Sequence, residues 1–309
     1  MGPVGQDPRQ ALMDLTLTED QTMVQRTARE FLAGREGQDV WKEITDLGWQ
    51  ALPFEDFGFL EACLIVEELG RARVTVPYVS TVACAGFAAP ALRTRIAGGE
   101  VFAYAPFSGA LVPWAAEAAE LLVATPSGVV LTSEVDRTPV SVVGPAPTCR
   151  VTYDSVTGTS LAAATDTIEA YGAAATCAEM VGGAQAVLDK TVEYAKEREQ
   201  FGKPIGAFQA VQHHCANMAI DVMGARFIAY EAIWRLSRGL DASVEVSVAK
   251  SWVSEAYERV CALGHQVHGA IGFTEEHDLH HYTRHAMSSA LAFGDADTHI
   301  DRLATHLGI

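Results

Sequence analysis

The stretch Tyr194-Ala-Lys-Glu-Arg-Glu-Gln-Phe-Gly-Lys-Pro-Ile-Gly-Ala-Phe-Gln209, followed by Ala-Val-Gln212, decides how this chain is read. It closes one helix on a basic side chain and an aromatic, turns at Gly202-Lys-Pro204, and opens the next helix on an amide. The helix before the turn carries a stripe of Ile168, Tyr171, Ala175, Ala178, Leu188, Val192 and Ala195. The helix after it carries Phe208, Val211, Cys215, Met218, Val222, Ala225, Ala229, Ile233 and Leu236, and stops at Arg238-Gly239. A third stripe runs from about Ser243 to Leu263. Three long amphipathic helices with short connections predict an antiparallel bundle. At its corner Arg198 can grip a diphosphate with two parallel bonds and Phe201 offers a stacking face. Alone, the same pattern describes a helix corner with a solvated arginine.

A second string, Gln266-Val-His-Gly-Ala-Ile-Gly-Phe-Thr274, ends the third helix in a glycine-rich turn whose bare backbone can approach a ligand. It continues as Glu-Glu-His-Asp-Leu-His-His-Tyr-Thr-Arg284-His-Ala. His277, His281 and His285 recur every four residues there, with His280 beside them and His265 and His268 nearby, and raise the question of a metal. The simpler reading is a helix start with no metal. Trp234 and Trp252 flank the stripes and read as core packing, and His213-His214 as surface or interface.

Outward from the bundle the texture changes twice. Between about Glu100 and Ser160, β-branched runs (Leu121–Thr125, Gly128–Thr132, Val140–Val143, Arg150–Tyr153) alternate with Pro, Gly and Asp turns. Roughly 60 residues make a short sheet without a large core of its own. Before it, Thr18 and Gln21 form a capping box ahead of Met23, Val24, Ala28, Phe31 and Leu32. Short helices follow at Trp41–Gly48 and around Cys63, Val66 and Leu69. The expected organisation is therefore an N-terminal helical domain over 11–99, a small β domain over 100–162 and a C-terminal bundle over 163–309.

Composition narrows the partners. The chain carries 22 Lys+Arg against 39 Asp+Glu, a net charge of −17, which repels phosphate backbones and anionic headgroups and argues against nucleic acid or a membrane surface. Val74–Leu92 is uncharged, but Pro77, Gly86 and Pro90 with several hydroxyls favour a buried helix or loop over a membrane span. The six cysteines are scattered and read as reduced, buried thiols. The start, MGPVGQDPRQ, has no charged-then-apolar leader, so a cytoplasmic location is expected. There is no Gly-x-Gly-x-x-Gly after a strand and no Gly-x-Ser-x-Gly elbow.

The two strings, set in this three-part order, resemble the acyl-CoA dehydrogenase family over essentially the whole chain, most strongly in the bundle. The fold class implied is mainly α with a small β insert. In that family the Arg and Phe of R-x-x-F-G, the following Gln and the Q-x-x-G-G turn contact the FAD of a neighbouring subunit. The matching residues here are Arg198, Phe201, Gln209, Gln266 and Gly269, with Ala270 in place of the second glycine of the turn. Two family features are missing. The Thr-Glu-Pro-x-x-Gly-Ser-Asp-like loop that holds a subunit's own flavin is replaced by Phe102-Ala-Tyr-Ala-Pro-Phe-Ser-Gly109, and the β segment is about half the usual size. The family's base, a Glu, falls at Asp295 in one of its two locations and at Tyr171 or a neighbour in the other, with Glu169 close to it but about a half-turn off. A misplacement of about 1 Å can cost on the order of a hundredfold.

The residues retained are those lent to a neighbour's flavin, and those lost are the ones needed for its own. That division resembles the shortened subunit of heteromeric, α2β2 steroid-CoA dehydrogenases of actinobacteria. The resemblance implies a full-length acyl-CoA dehydrogenase partner, a CoA thioester substrate desaturated at its α,β carbons, and re-oxidation by an electron-transferring flavoprotein. Two other readings stay open at this point: a self-sufficient homomer with Asp295 as its catalytic base, and a flavin-free scaffold of the same fold.

Overall fold

The computed structural model describes residues 16–35 and 39–309. Residues 11–15 of the expected N-terminal domain, and the leader reading of Met1–Gln10, lie outside them. Helix α1 (Glu19–Leu32) starts at the expected capping box: the Thr18 hydroxyl accepts from the Gln21 amide, and the Gln21 side chain accepts from the Thr18 N–H at 3.0 Å. Short helices α2 (Asp39–Asp46) and α3 (Leu52–Glu55) lead to α4 (Phe59–Ala72), which is buried along nearly its whole length. The uncharged segment then coils into a π-helix over Val79–Gly86, most of it buried, before α5 (Arg93–Ala97). No helix among the described residues is long and apolar enough to cross a membrane.

Seven short strands follow. Strands β1 (Phe102–Ala105), β3 (Glu120–Thr125), β4 (Gly128–Thr132) and β7 (Thr159–Leu161) make one sheet in the order β1-β3-β4-β7, with β1 parallel to β3. Strands β2 (Leu111–Pro113), β5 (Asp136–Val140) and β6 (Thr148–Thr152) make a second, in the order β2-β6-β5. The expected strand at Val140–Val143 is displaced. Pairing with β6 places it at Asp136–Val140, on the sheet edge where Pro139 is tolerated. The sheet is fastened to the N-terminal helices by Thr81, whose hydroxyl accepts from Phe102 N at 3.1 Å and donates to Phe102 O at 3.0 Å.

The long helices α6 (Thr165–Glu197), α7 (Gln209–Ser237) and α8 (Ser243–His268) form the bundle, with α9 (Leu279–Leu291) and α10 (Ala296–Leu307) packed on α8. Between α6 and α7 stands a hairpin of β8 (Glu199–Gln200) and β9 (Lys203–Pro204). Helices α4 and α6 touch backbone to backbone. A Cβ on Gly70 would lie 2.0 Å from Glu179 O, and one on Gly182 would lie 1.8 Å from Glu67 O. Buried carboxylates tie the helices: Glu68 receives both Nε and Nη2 of Arg29, and Glu67 receives Arg226 and the Tyr230 hydroxyl. Trp234 is half-buried as expected of core packing, but Trp252 is 45% exposed. It lies on the outer face shared by α7 and α8, with Arg259 over its ring.

Candidate functional site: two ends of one bundle

Arg198 caps the C-terminus of α6, its N–H bonded to Tyr194 O at 2.8 Å. The chain then makes a two-residue hairpin turn in which Phe201 and Gly202 both have positive φ, 55° and 78°. That is the backbone a tight hairpin demands, and a bulky residue enters it only under strain. The Phe201 side chain is 91% exposed, touching Phe208 edge-on. Gln209 is the first residue of α7, which runs back antiparallel, so it shares this end of the bundle.

Helix α8 delivers the second string to the same place. Tyr194 stacks on His268 with ring centroids 4.4 Å apart, which puts the end of α6 against the end of α8. Gln266 is exposed in the last turn of α8, and Gly269 leaves the helix at φ 66° with open space where a Cβ would be. Both line a cavity of about 670 Å³ with Glu258, Cys261, His265 and Phe273, a size in the range of cofactor pockets. Burial keeps His265 and His268 below the ordinary imidazole value. The side chains of Arg198, Gln209 and Gln266 have no hydrogen-bond partner among the described residues. The structure therefore gathers all five residues, 70 positions apart in sequence, at one end, with their polar groups available.

Asp295 lies at the other end. It is the N-cap of α10, accepting from Thr298 N at 2.9 Å and from the Thr298 hydroxyl at 2.6 Å. Those bonds hold its carboxyl below the usual aspartate range, whereas a general base works best with a pKa near the operating pH. Its neighbour Gly294 accepts from Lys250 in α8. Lys250 and Gln266 are 16 residues apart on that helix, so about 24 Å separates the two ends at 1.5 Å per residue.

Asp295 is itself exposed, but the turn before it is tightly packed. Phe293 holds φ 56° and presses its ring against Gly172, where a Cβ would lie 2.2 Å from the ring. The ring also stacks on Tyr104 of β1, 6.2 Å away and 2° from parallel. Tyr104 donates to Glu169 at 3.0 Å, and the other oxygen of Glu169 pairs with Arg302. Tyr171 belongs to an aromatic cluster with Phe59 and Phe87. Two buried side chains clamp the turn: Lys250 donates to Ala290 O at 2.7 Å and Gly294 O at 2.9 Å, and His299 Nε2 donates to Phe293 O at 3.0 Å. Burial brings Lys250 down to about 8 and His299 down to about 4. In Phe102–Gly109, the first four residues are buried in β1 and the Ser108 hydroxyl already donates to Tyr153 O.

The histidine series does not form a metal face. His277 precedes α9 and so leaves the line of His281 and His285, and His285 faces the Tyr257 hydroxyl and Glu179. Among the described residues no group of three His, Cys, Asp or Glu could hold an ion.

A helical bundle carrying a small β insert, with an aromatic, a guanidinium and a glycine turn presented at one end, is the architecture of a flavin-dependent dehydrogenase. The acyl-CoA dehydrogenase C-terminal domain matches residues 162–308. Acyl-CoA dehydrogenase IpdE2 of Mycobacterium tuberculosis is 32% identical over 238 residues, covering 74% of this chain and 72% of that protein. The chain belongs to the acyl-CoA dehydrogenase family. It spans only 39% and 35% of the length of two other curated acyl-CoA dehydrogenases that it matches. The fold is similar to the ChsE4-ChsE5 complex from Mycobacterium tuberculosis (TM-score 0.81, 25% identity, 96% of this chain and 99% of that one). It is also similar to the Tcur3481-Tcur3483 steroid ACAD (TM-score 0.84, 23% identity, 95% and 99%). FAD is the cofactor the family implies. The open end fits part of such a cofactor, since its donors are unengaged and its ring and glycine turn are bare. The filled end does not.

Proposed function

We propose that this chain is the flavin-completing subunit of a heteromeric acyl-CoA dehydrogenase that desaturates a CoA thioester at its α,β carbons, and that the catalytic base lies in the partner. The observation that carries this reading is the contrast between the ends. The groups that would serve a neighbour's FAD are exposed and unengaged, while the Asp295 carboxylate, though exposed, is spent on Thr298 and Tyr171 packs in an aromatic cluster. When bound, FAD supplies the hydride acceptor. On this reading Arg198 neutralises diphosphate charge, Phe201 stacks on a planar ring, Gln266 donates or accepts at its edge, and the Gly269 turn lets backbone approach closely. Asp295 abstracts nothing and caps α10.

A partner surface accords with this. Ile220, Met223 and Phe227 of α7 lie three and four residues apart and are about half exposed or more, next to exposed Trp252 of α8. The Asp221–Arg259–Glu255 ion pairs rim them. Aromatic and Met side chains with a peripheral Arg are the composition of an interface core. A steroid-CoA as substrate follows from the resemblance in the sequence, and one fold neighbour is itself described as a steroid enzyme. Unpaired cysteines throughout the described residues accord with the cytoplasm.

The test is flavin stoichiometry. Co-expressed with a full-length acyl-CoA dehydrogenase partner, the chain should form a yellow, active complex with one FAD per pair of chains. Purified alone it should be colourless. An isolated chain that purifies yellow and is reduced by an acyl-CoA thioester overturns the proposal in favour of a self-sufficient homomer, and a complex that never takes up FAD leaves the scaffold.

A further inference from the structure

A second cavity, of about 260 Å³, lies away from both ends, between the C-terminus of α4, the loop Val143–Pro145, the middle of α6 and α9. Its lining is cationic in a chain whose net charge is −17. Two guanidiniums, Arg73 and Arg284, face a single carboxylate, Glu179, with the imidazoles of His281 and His285 beside them. Arg284 is held at the wall by its Nε, which donates to Val143 O at 3.0 Å, and its two Nη groups meet no acceptor among the described residues. Arg73 lies over the Tyr282 ring and reaches Asp278 at 3.7 Å, beside Lys190 at 2.8 Å from the same carboxylate. Glu179 is met by His285 Nε2 at 3.4 Å. A cleft lined by one sign of charge concentrates its field on a counter-ion. Burial first, then His280, Arg73 and Arg284, holds His281 below the ordinary imidazole value.

We propose that this pocket binds a phosphate group, either free phosphate or the phosphate end of a larger ligand. Guanidinium groups match phosphate geometry with paired donors. The volume lies below the roughly 300–1,000 Å³ of pockets that enclose whole organic ligands, and a compact anion fills it better. The site is independent of the flavin end and can be read on the chain alone.

The experiment compares phosphate with chloride at equal ionic strength on the full chain, following the thermal midpoint and the NMR titration of His281. Expected is a saturable rise of the midpoint in phosphate. Arg284→Gln should bind phosphate roughly ten- to a hundredfold more weakly, the factor for one charge-assisted bond, so that the difference between its midpoints in phosphate and chloride shrinks. The His281 pKa should rise on binding, because the anion offsets Arg73, Arg284 and His280 while Glu179 and Asp278 are already engaged. Equal midpoints in the two salts, an unchanged phosphate affinity in Arg284→Gln, or a His281 titration blind to phosphate would each overturn the proposal. Tighter binding of AMP than of phosphate, with adenosine inert, identifies the end of a larger ligand. Exclusion of AMP identifies free phosphate.

Discussion

Two phenylalanines hold left-handed backbone, one at each end of the bundle, and their surroundings are opposite. Phe293 (φ 56°) wedges its ring between Gly172 and Tyr104, and its turn is clamped by Lys250 and His299. Phe201 (φ 55°) projects 91% exposed from a hairpin turn. Such a backbone costs on the order of 1–3 kcal/mol for a bulky residue. At Phe293, ring packing and three carbonyl hydrogen bonds offset that cost within the chain. At Phe201 an edge-on contact with Phe208 does so, and beside it a guanidinium and an amide have no hydrogen-bond partner among the described residues. One end spends its polar groups within the chain, and the other presents them unengaged.

The comparison breaks first at Lys250. Replacing it by Ala strips the donors from the Ala290 and Gly294 carbonyls and leaves a void under the α9–α10 turn. Expected is a loss of roughly 3–5 kcal/mol in urea unfolding, from two unmet acceptors plus a cavity. Flavin affinity in the complex should stay as it was, and a loss under about 1 kcal/mol means the filled end stands without its clamp. Next in size is the acid response of His299. Its folded pKa, about 4, lies below the ordinary 6.5, so the unfolded chain takes up a proton that the folded chain refuses. Stability is therefore full above about pH 6.5 and declines as the pH falls toward about 4, by up to roughly 3 kcal/mol. His299→Gln, whose amide can still donate to Phe293 O, should flatten that slope in denaturant midpoints measured across the window.

The open end should respond in the opposite currency, ligand rather than stability. Arg198→Ala removes a side chain with no hydrogen-bond partner among the described residues, so the unfolding midpoint should not move. Flavin retention by the complex should weaken by roughly ten- to a hundredfold, the range for one charge-assisted hydrogen bond, as read by flavin absorbance after dilution. Phe201→Gly sharpens the contrast further. Glycine accepts the positive φ freely, so the variant should be more stable than the parent by roughly 1 kcal/mol while holding flavin less well. A variant that loses stability as well would mean that the ring is a structural contact.

How legible each end was follows from how its residues are distributed. The bundle is written in local periodicity, so the stripes on α6 and α7 were readable, and the open end sits in two linear strings around Arg198 and Gln266. The filled end has no such string. Tyr104 comes from a strand, Glu169 and Gly172 from α6, Phe293 from a turn and Arg302 from α10, and only packing unites them. One signal was present. Lys250 is a charge among Val246, Ala249, Val253 and Tyr257 on the buried face of α8, and a lysine there requires a partner. Trp252 and the displaced strand at Asp136–Val140 escaped for a related reason. Whether a helix face is covered, and which residues of a β run pair, depend on neighbours that periodicity does not name.

The smallest effect is the one that separates the two readings of Asp295. The family resemblance places it where a base is kept, and a side chain there could equally be capping a helix. Both roles want a carboxylate, so the residue type alone could not choose. The two roles separate under substitution. If Asp295 is a cap, Asp295→Ala loses the bonds from Thr298 N and Thr298 Oγ1 and costs roughly 0.5–1 kcal/mol of stability, with the turnover of the complex unchanged. Asp295→Asn, which keeps a side-chain oxygen for the Thr298 N–H, should then match the parent in both stability and turnover. A base would show the reverse pattern, because Asn cannot take a proton and turnover would collapse in both variants. Measuring kcat of the complex alongside the unfolding midpoint of each variant therefore assigns the residue. A fall in kcat with Asn at an unchanged midpoint would move the chemistry back to this end of the bundle.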